Sequence, residues 1–176
     1  SLGVDRGEIF FTGSGTESDN FAVFGTIEAW PGKDEFITSA VEHPAVLEAA
    51  KALEKRGAKV TYLPVDGYGT VSLDALRSAL TPRTALVSVM HANNEIGTIQ
   101  PVADIVRIAR EHGVPVHTDA VQSYGKIDLD ARRLGVDLLT VSAHKVYGPK
   151  GVGALYVRKG ANICPFLRGG RQERGL

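Results

Sequence analysis

Residues 84–119, "TALVSVMHANNEIGTIQPVADIVRIAREHGVPVHTD", decide the fold class. "TALVSVM" and "VPVHTD" are short, nearly continuous apolar runs, the pattern of strands buried on both faces. "PVADIVRIAREHG" between them reads as a helix, with Pro101 near its start and Gly113 at its end. A strand, a helix and a second strand in that order predict a crossover unit of a parallel sheet.

The alternation continues outward. "EIFFTG" (residues 8–13) reads as a short buried strand entering a glycine turn. "TESDNFAVFGTIEAW" reads as a helix, with Glu17 and Asp19 expected in its first turn, where the macrodipole favours anions, and Pro31–Gly32 as its stop. "EFITS" is a strand. "HPAVLEAAKALEKRG" is a helix with Pro44 in the first position and an apolar stripe of Val46, Leu47, Ala50 and Leu53. "AKVTYLPV" is a strand, "DGYG" a turn, and "SLDALRSAL" a short helix capped by Ser72. "VDLLTVSA" and "GVGALYVR" complete the strands. The prediction is an α/β domain whose mainly parallel sheet is covered by helices on both faces.

Composition narrows the class of function. The chain has 176 residues, enough for one domain, and 43% are hydrophobic. Twenty basic and twenty acidic residues balance, which leaves no electrostatic footprint for nucleic acid or anionic lipid. No apolar run is long enough to span a bilayer, and "SLGVDRGEIFF" lacks a signal-peptide layout. The lone cysteine, Cys164, excludes an intrachain disulfide and a multi-cysteine zinc site. Together these point to a reducing, cytoplasmic setting.

Ligands of such sheets collect at the carboxyl ends of the strands. The polar residues expected there are Gly13–Thr16, His91–Glu95, Asp119–Gln122 and Ser142–Lys145. The turn "TGSGTESDN" reads either as an ordinary glycine turn with a threonine cap or as an anion cup at a helix start. A dinucleotide fingerprint is incomplete, because Ser18 stands where its third glycine belongs. Asp119 is either a cap or salt-bridge partner, or the partner of a protonated ring nitrogen. His117 and Asp119 share a strand face, but two ligands at that spacing define no metal site. His43 reads as a cap, or as an aromatic plate that carries a proton. Lys145 lacks Walker-loop spacing; it is a solvated loop charge or a Schiff-base lysine.

Taken jointly, "GTESDN", "EHPAV", "HANNEIGTIQPV", "HTDAVQSYGK", "VDLLTVSAHKVYGPKGVGALYV" and "GGRQERGL" resemble the class V aminotransferase family of pyridoxal phosphate (PLP) enzymes, in its cysteine desulfurase branch. The resemblance covers essentially the whole chain. It implies the large domain of fold type I, with Lys145 carrying PLP as a Schiff base. Gly15, Thr16, Ser142 and His144 would hold the phosphate. Asp119 would pair with the pyridinium nitrogen, Asn94 and Gln122 would bond the phenolic-oxygen side, and His43 would stack on the ring and move protons. The implied reaction takes L-cysteine to alanine and a protein-bound persulfide, which supplies iron–sulfur cluster or thio-modification partners.

The pattern also departs from the family. The resemblance also implies a segment ahead of "EIFFTGSGTES", a stretch beyond "GGRQERGL", a small domain, a substrate-carboxylate arginine and a sulfur-accepting cysteine, none of which is expected within these 176 residues. Cys164, in "NICPFL", reads as structural or incidental. The expectation is a partial PLP-binding core over residues 1–176, inactive alone and prone to oligomerise through exposed edges. Alternatives are another class V activity (selenocysteine lyase or aminotransferase), a non-catalytic interaction fragment, and an NAD-binding domain.

Overall fold

A computed structural model describes residues 2–170 and 176; residues 171–175, most of the "GGRQERGL" motif, lie outside the described residues. The strands are β1 (Ile9–Thr12), β2 (Glu35–Ser39), β3 (Lys59–Leu63), β4 (Thr84–Ser88), β5 (Val116–Asp119), β6 (Leu138–Ser142) and β7 (Gly153–Val157). The helices are α1 (Gly15–Ala29), α2 (Pro44–Lys55), α3 (Leu73–Ala79), α4 (Val102–Glu111) and α5 (Ala131–Leu134). Short 3-10 turns occupy Arg6–Glu8 and Ala143–Val146.

All seven strands form one sheet in the order β1-β7-β6-β5-β4-β2-β3. The ladders from β3 through β6 are parallel, and β7 runs antiparallel to both its neighbours. The expected α/β architecture is therefore present. Strand pleating sorts the core into two layers: Phe36, Leu86, Leu138 and Leu155 face one side, and Ile37, Val87, Leu139 and Tyr156 the other. α1 and α2 seal the first side through Phe21, Val23, Val46 and Leu53. Leu76, Ile105 and Ala131, from α3, α4 and α5, seal the second.

Local signals account for the helix limits. Ser72 caps α3 by accepting the Ala75 N–H at 3.1 Å, as its position predicts. Gly57 follows the α2 C-cap at φ 91°, a conformation that favours glycine. On α2 the buried stripe is Ala45, Val46, Ala49, Ala50 and Leu53, and Leu47 is only half-buried.

Two expectations need correction. β1 is not a buried strand: it lies at the sheet edge, and Phe11 is 66% exposed. Phe10 is buried in one core layer, Ile9 packs partly against the other, and Phe11 is left outside. Asp19 is not in the first turn of α1. It is five residues into the helix, on the face shared with Gly15, and it is buried. Among the described residues no helix is long and apolar enough to cross a membrane.

Candidate active site

Because β2, β4, β5 and β6 run parallel, Ser39, Ser88, Asp119 and Ser142 end on the same side of the sheet. β1, antiparallel to β7, delivers the Thr12–Gly15 turn to that side too. A cleft of about 380 Å³ opens there. All nine expected residues line it: Gly15, Thr16, His43, Asn94, Asp119, Gln122, Ser142, His144 and Lys145. Ser14 and Val121, from the expected strand-end groups, line it as well, together with Asp19 and Met90, which the strand-end reading does not include. The i, i+4 spacing of Gly15 and Asp19 was the signal that could have found the latter.

The start of α1 is packed against the strand ends. A Cβ on Gly15 would stand 3.1 Å from Val121 Cγ2 and 3.4 Å from Ser142 Cβ. Glycine thus lets the helix approach the sheet. Ser14 Oγ accepts the Glu17 N–H at 3.1 Å, and the Ser14 carbonyl accepts the Ser18 N–H at 3.1 Å. The first N–H groups of a helix, here those of Gly15 and Thr16, have no intrahelical acceptor. Ser18, which broke the dinucleotide fingerprint, is buried and its hydroxyl meets Thr12 Oγ1 at 2.7 Å. The glycine turn also follows an edge strand, unlike the first strand of a dinucleotide fold.

His43 is the N-cap of α2: its Nδ1 accepts the Ala45 N–H at 3.1 Å. That bond places the proton of the neutral ring on Nε2. His43 therefore caps a helix and lines the cleft at once. Ser142 Oγ and His144 Nδ1 share a hydrogen bond at 2.8 Å. Lys145 is exposed in the 3-10 turn that follows β6, which closes at Tyr147 with φ 63°. Gln122 accepts from Lys126 Nζ at 3.2 Å, and Asn94 is exposed at the rim.

Carboxylates crowd the floor. Asp119 is 5% exposed, and its Oδ1 accepts the Val121 N–H at 2.8 Å. Burial raises its carboxyl above the usual range, against that N–H and the neighbouring His43. Glu42 is buried behind it, pushed up to about 8 by burial. It accepts the Met90 N–H at 2.9 and 3.1 Å and the Ser39 hydroxyl at 2.5 Å. His117 is wholly buried, with Nδ1 on Ser88 Oγ at 2.8 Å and Nε2 on Thr140 Oγ1 at 3.0 Å. Burial drives its ring down to about 3, so it is neutral. Among the described residues no cluster of three metal-ligating side chains occurs.

The cleft fits pyridoxal phosphate on its own chemistry. It offers a lysine amine, a buried acid for a ring nitrogen, a histidine ring, and a helix start beside a Ser–His pair for a dianion. A Cβ at Gly15 would close the approach of helix to strand on which that cup depends.

Fold and cleft thus define an α/β protein with a cofactor-type site at its strand ends, and comparison with known proteins makes the class specific. The sequence pattern described as "Aminotransferase class-V" matches residues 2–174. The cysteine desulfurase IscS of Methanosarcina thermophila is 53% identical over 175 residues, covering 99% of this chain and 43% of that protein. That of Dictyoglomus turgidum is 54% identical over 174 residues, covering 98% and 44%. Among solved structures, a NifS-like protein superposes with a TM-score of 0.96 at 49% identity, covering 99% of this chain and 49% of that one. "SspA in complex with cysteine" superposes with a TM-score of 0.94 at 44% identity, covering 99% and 51%. The chain belongs to the class-V aminotransferase family, and its relatives are cysteine desulfurases, enzymes that use pyridoxal 5'-phosphate. It spans less than half the length of the IscS relatives it matches.

Proposed function

We propose that residues 1–176 are the cofactor-binding part of a PLP-dependent cysteine desulfurase acting on L-cysteine. The observation that carries this reading is the convergence of Lys145, Asp119, His43 and the α1 start on one cleft, in a chain about half identical to cysteine desulfurases. When bound, pyridoxal phosphate supplies an electron sink for negative charge at the substrate α-carbon.

The side chains have separable tasks. Lys145 Nζ would be the point of attachment for the cofactor's aldehyde and, only when released as a free amine, would be the base for the substrate α-proton. Asp119, with one oxygen occupied by the Val121 N–H, would have its other oxygen for the ring nitrogen. Gly15 and Thr16 offer N–H groups to the phosphate, and the Ser142–His144 pair is already joined for the same anion. His43, with its proton on Nε2, provides a plate for the ring and a proton donor. Asn94 and Gln122 offer amides to the phenolic oxygen.

Sulfur acceptance falls outside these residues. Cys164 donates its N–H to the Gly25 carbonyl at 2.9 Å. Gly25 is ten residues along α1 from Gly15, about 15 Å of helix. The chain alone is therefore expected to hold cofactor without releasing sulfide. In the intact protein, a cysteine elsewhere would take the sulfur and pass it to acceptor or scaffold proteins in the cytoplasm.

Incubation with pyridoxal phosphate, borohydride reduction and peptide mapping tests the assignment. The adduct is expected on Lys145 and absent from Lys145→Ala. An adduct on another lysine, or none, refutes the cofactor role; sulfide release from L-cysteine by this chain refutes the division of labour.

A further inference from the structure

Asp19 has no task in that function, yet it lines the cleft with Asp119. It is 1% exposed, and its Oδ1 has no hydrogen-bond partner among the described residues. An ionised carboxylate with an unpartnered buried oxygen is among the costliest arrangements a fold can hold. A cation beside it would remove the difficulty, but among the described residues no lysine or arginine is ion-paired with it, and Lys145, which lines the same cleft, is exposed in the turn after β6. β5 brings His117, whose Nε2 lies 3.7 Å from Asp19 Oδ1, and the acid Asp119. β6 brings the uncharged Thr140 hydroxyl, and the loop after β2 brings a third acid, Glu42. His43, at the start of α2, sits with Asp119. On α1 itself, Glu17 is engaged by the Gly13 N–H at 2.9 Å.

His117 does not supply that cation: its Nε2 is beyond hydrogen-bond distance of Asp19 and is engaged by Thr140, its Nδ1 is engaged by Ser88, and burial lowers its ring to about 3. Burial first, then the negative field of Asp119, holds the Asp19 carboxyl well above the usual carboxylate range; a Thr140 hydrogen bond works the other way, and Glu42 adds to the rise. Asp119 is better placed to be the anion, having both a backbone donor at 2.8 Å and His43 nearby. Two acids in one buried site do not both ionise.

We infer that Asp19 and Asp119 form a carboxyl pair that holds one proton, and that the proton resides on Asp19. Asp19 is then a positioning residue. It gives Asp119 a neutral neighbour and leaves it as the pair's single negative charge toward the cleft. The consequence for a pyridine ring rests on the cofactor reading above; the proton assignment itself needs no ligand.

Infrared difference spectra of the unliganded full chain near neutral pH test the assignment. Subtracting Asp19→Asn from wild type should reveal a protonated-carboxyl C=O stretch that the variant lacks, with Glu42→Gln marking the Glu42 band separately. No such difference overturns the inference. The carboxyl ¹³C resonance of Asp19 in the wild-type chain decides the same point if the variant does not fold: ionisation below about pH 5 overturns it. With pyridoxal phosphate as the probe, Asp19→Asn should bind within about threefold of wild type, and Asp119→Asn at least about tenfold more weakly. Equal losses in both would place charge on Asp19 and overturn the inference. If the infrared band is present but the wild-type chain binds no pyridoxal phosphate, the proton assignment is supported and the cofactor reading fails.

Discussion

Glu42 shows how one buried side chain couples the site to stability. Burial pushes it up to about 8, from 4.5 in an ordinary glutamate, against the hydrogen bonds from Ser39 and Met90. Between those values the folded chain keeps a proton that the unfolded chain has lost. This contribution to stability is complete below about 4.5 and is lost as pH rises toward about 8. Over the full span it is on the order of a few kcal/mol. His117, driven from 6.5 to about 3, acts in the opposite sense below 6.5, since unfolding there lets it take up a proton. The window from about 6.5 to about 8 therefore isolates the acids. Urea midpoints across that window should fall with rising pH in the wild type and fall less in Glu42→Gln. An unchanged slope would mean that Glu42 is ionised in the fold. Glu42 was not legible as a site residue and only the i, i+4 spacing from Gly15 pointed to Asp19, because burial is what gives each its role, and burial comes from α1 and α2 closing on the strand ends. Lys145 and Asp119 were legible because their chemistry and strand-end positions coincide.

At the scale of elements, the junction of β1, α1 and β7 sets where the start of α1 stands against the strand ends. A Cβ on Gly153 would stand 2.5 Å from the Ser14 carbonyl carbon and 2.6 Å from its oxygen. Both are backbone atoms, so no side-chain rotation relieves the clash. Gly153→Ala should destabilise the chain by about 1–3 kcal/mol and weaken pyridoxal phosphate binding several-fold by displacing the start of α1. Gly151→Ala is the control. Gly151 has φ 82° but open space around its Cβ position, so the cost is about 1–2 kcal/mol of backbone strain with cofactor affinity unchanged. Equal affinity losses in the two variants, by calorimetry, would contradict this account. Caps and turns such as Ser72, Pro44 and Gly57 were legible because their signals are local. The edge position of β1 was not, since strand order depends on pairing partners more than 140 residues away in the chain, as in Phe10 opposite Leu155.

Across the whole molecule, exposed apolar residues such as Phe11 (66%) and Tyr147 (105%) are expected to promote association. Phe11 stands on β1, the end strand of the sheet order. Light scattering should give more than one chain's mass, and Phe11→Asp should lower it. A wild-type monomer at high concentration would count against the prediction. The sequence alone determined the α/β class, the order of the elements other than α5 and the residue types at the strand ends, because hydrophobic period and turn chemistry are written locally. Only the tertiary structure decided that nine separated residues share one cleft, that β7 is antiparallel, and that Asp19 and Glu42 are buried acids. Those features come from strands far apart in the chain meeting in one sheet, and from helices excluding water over it.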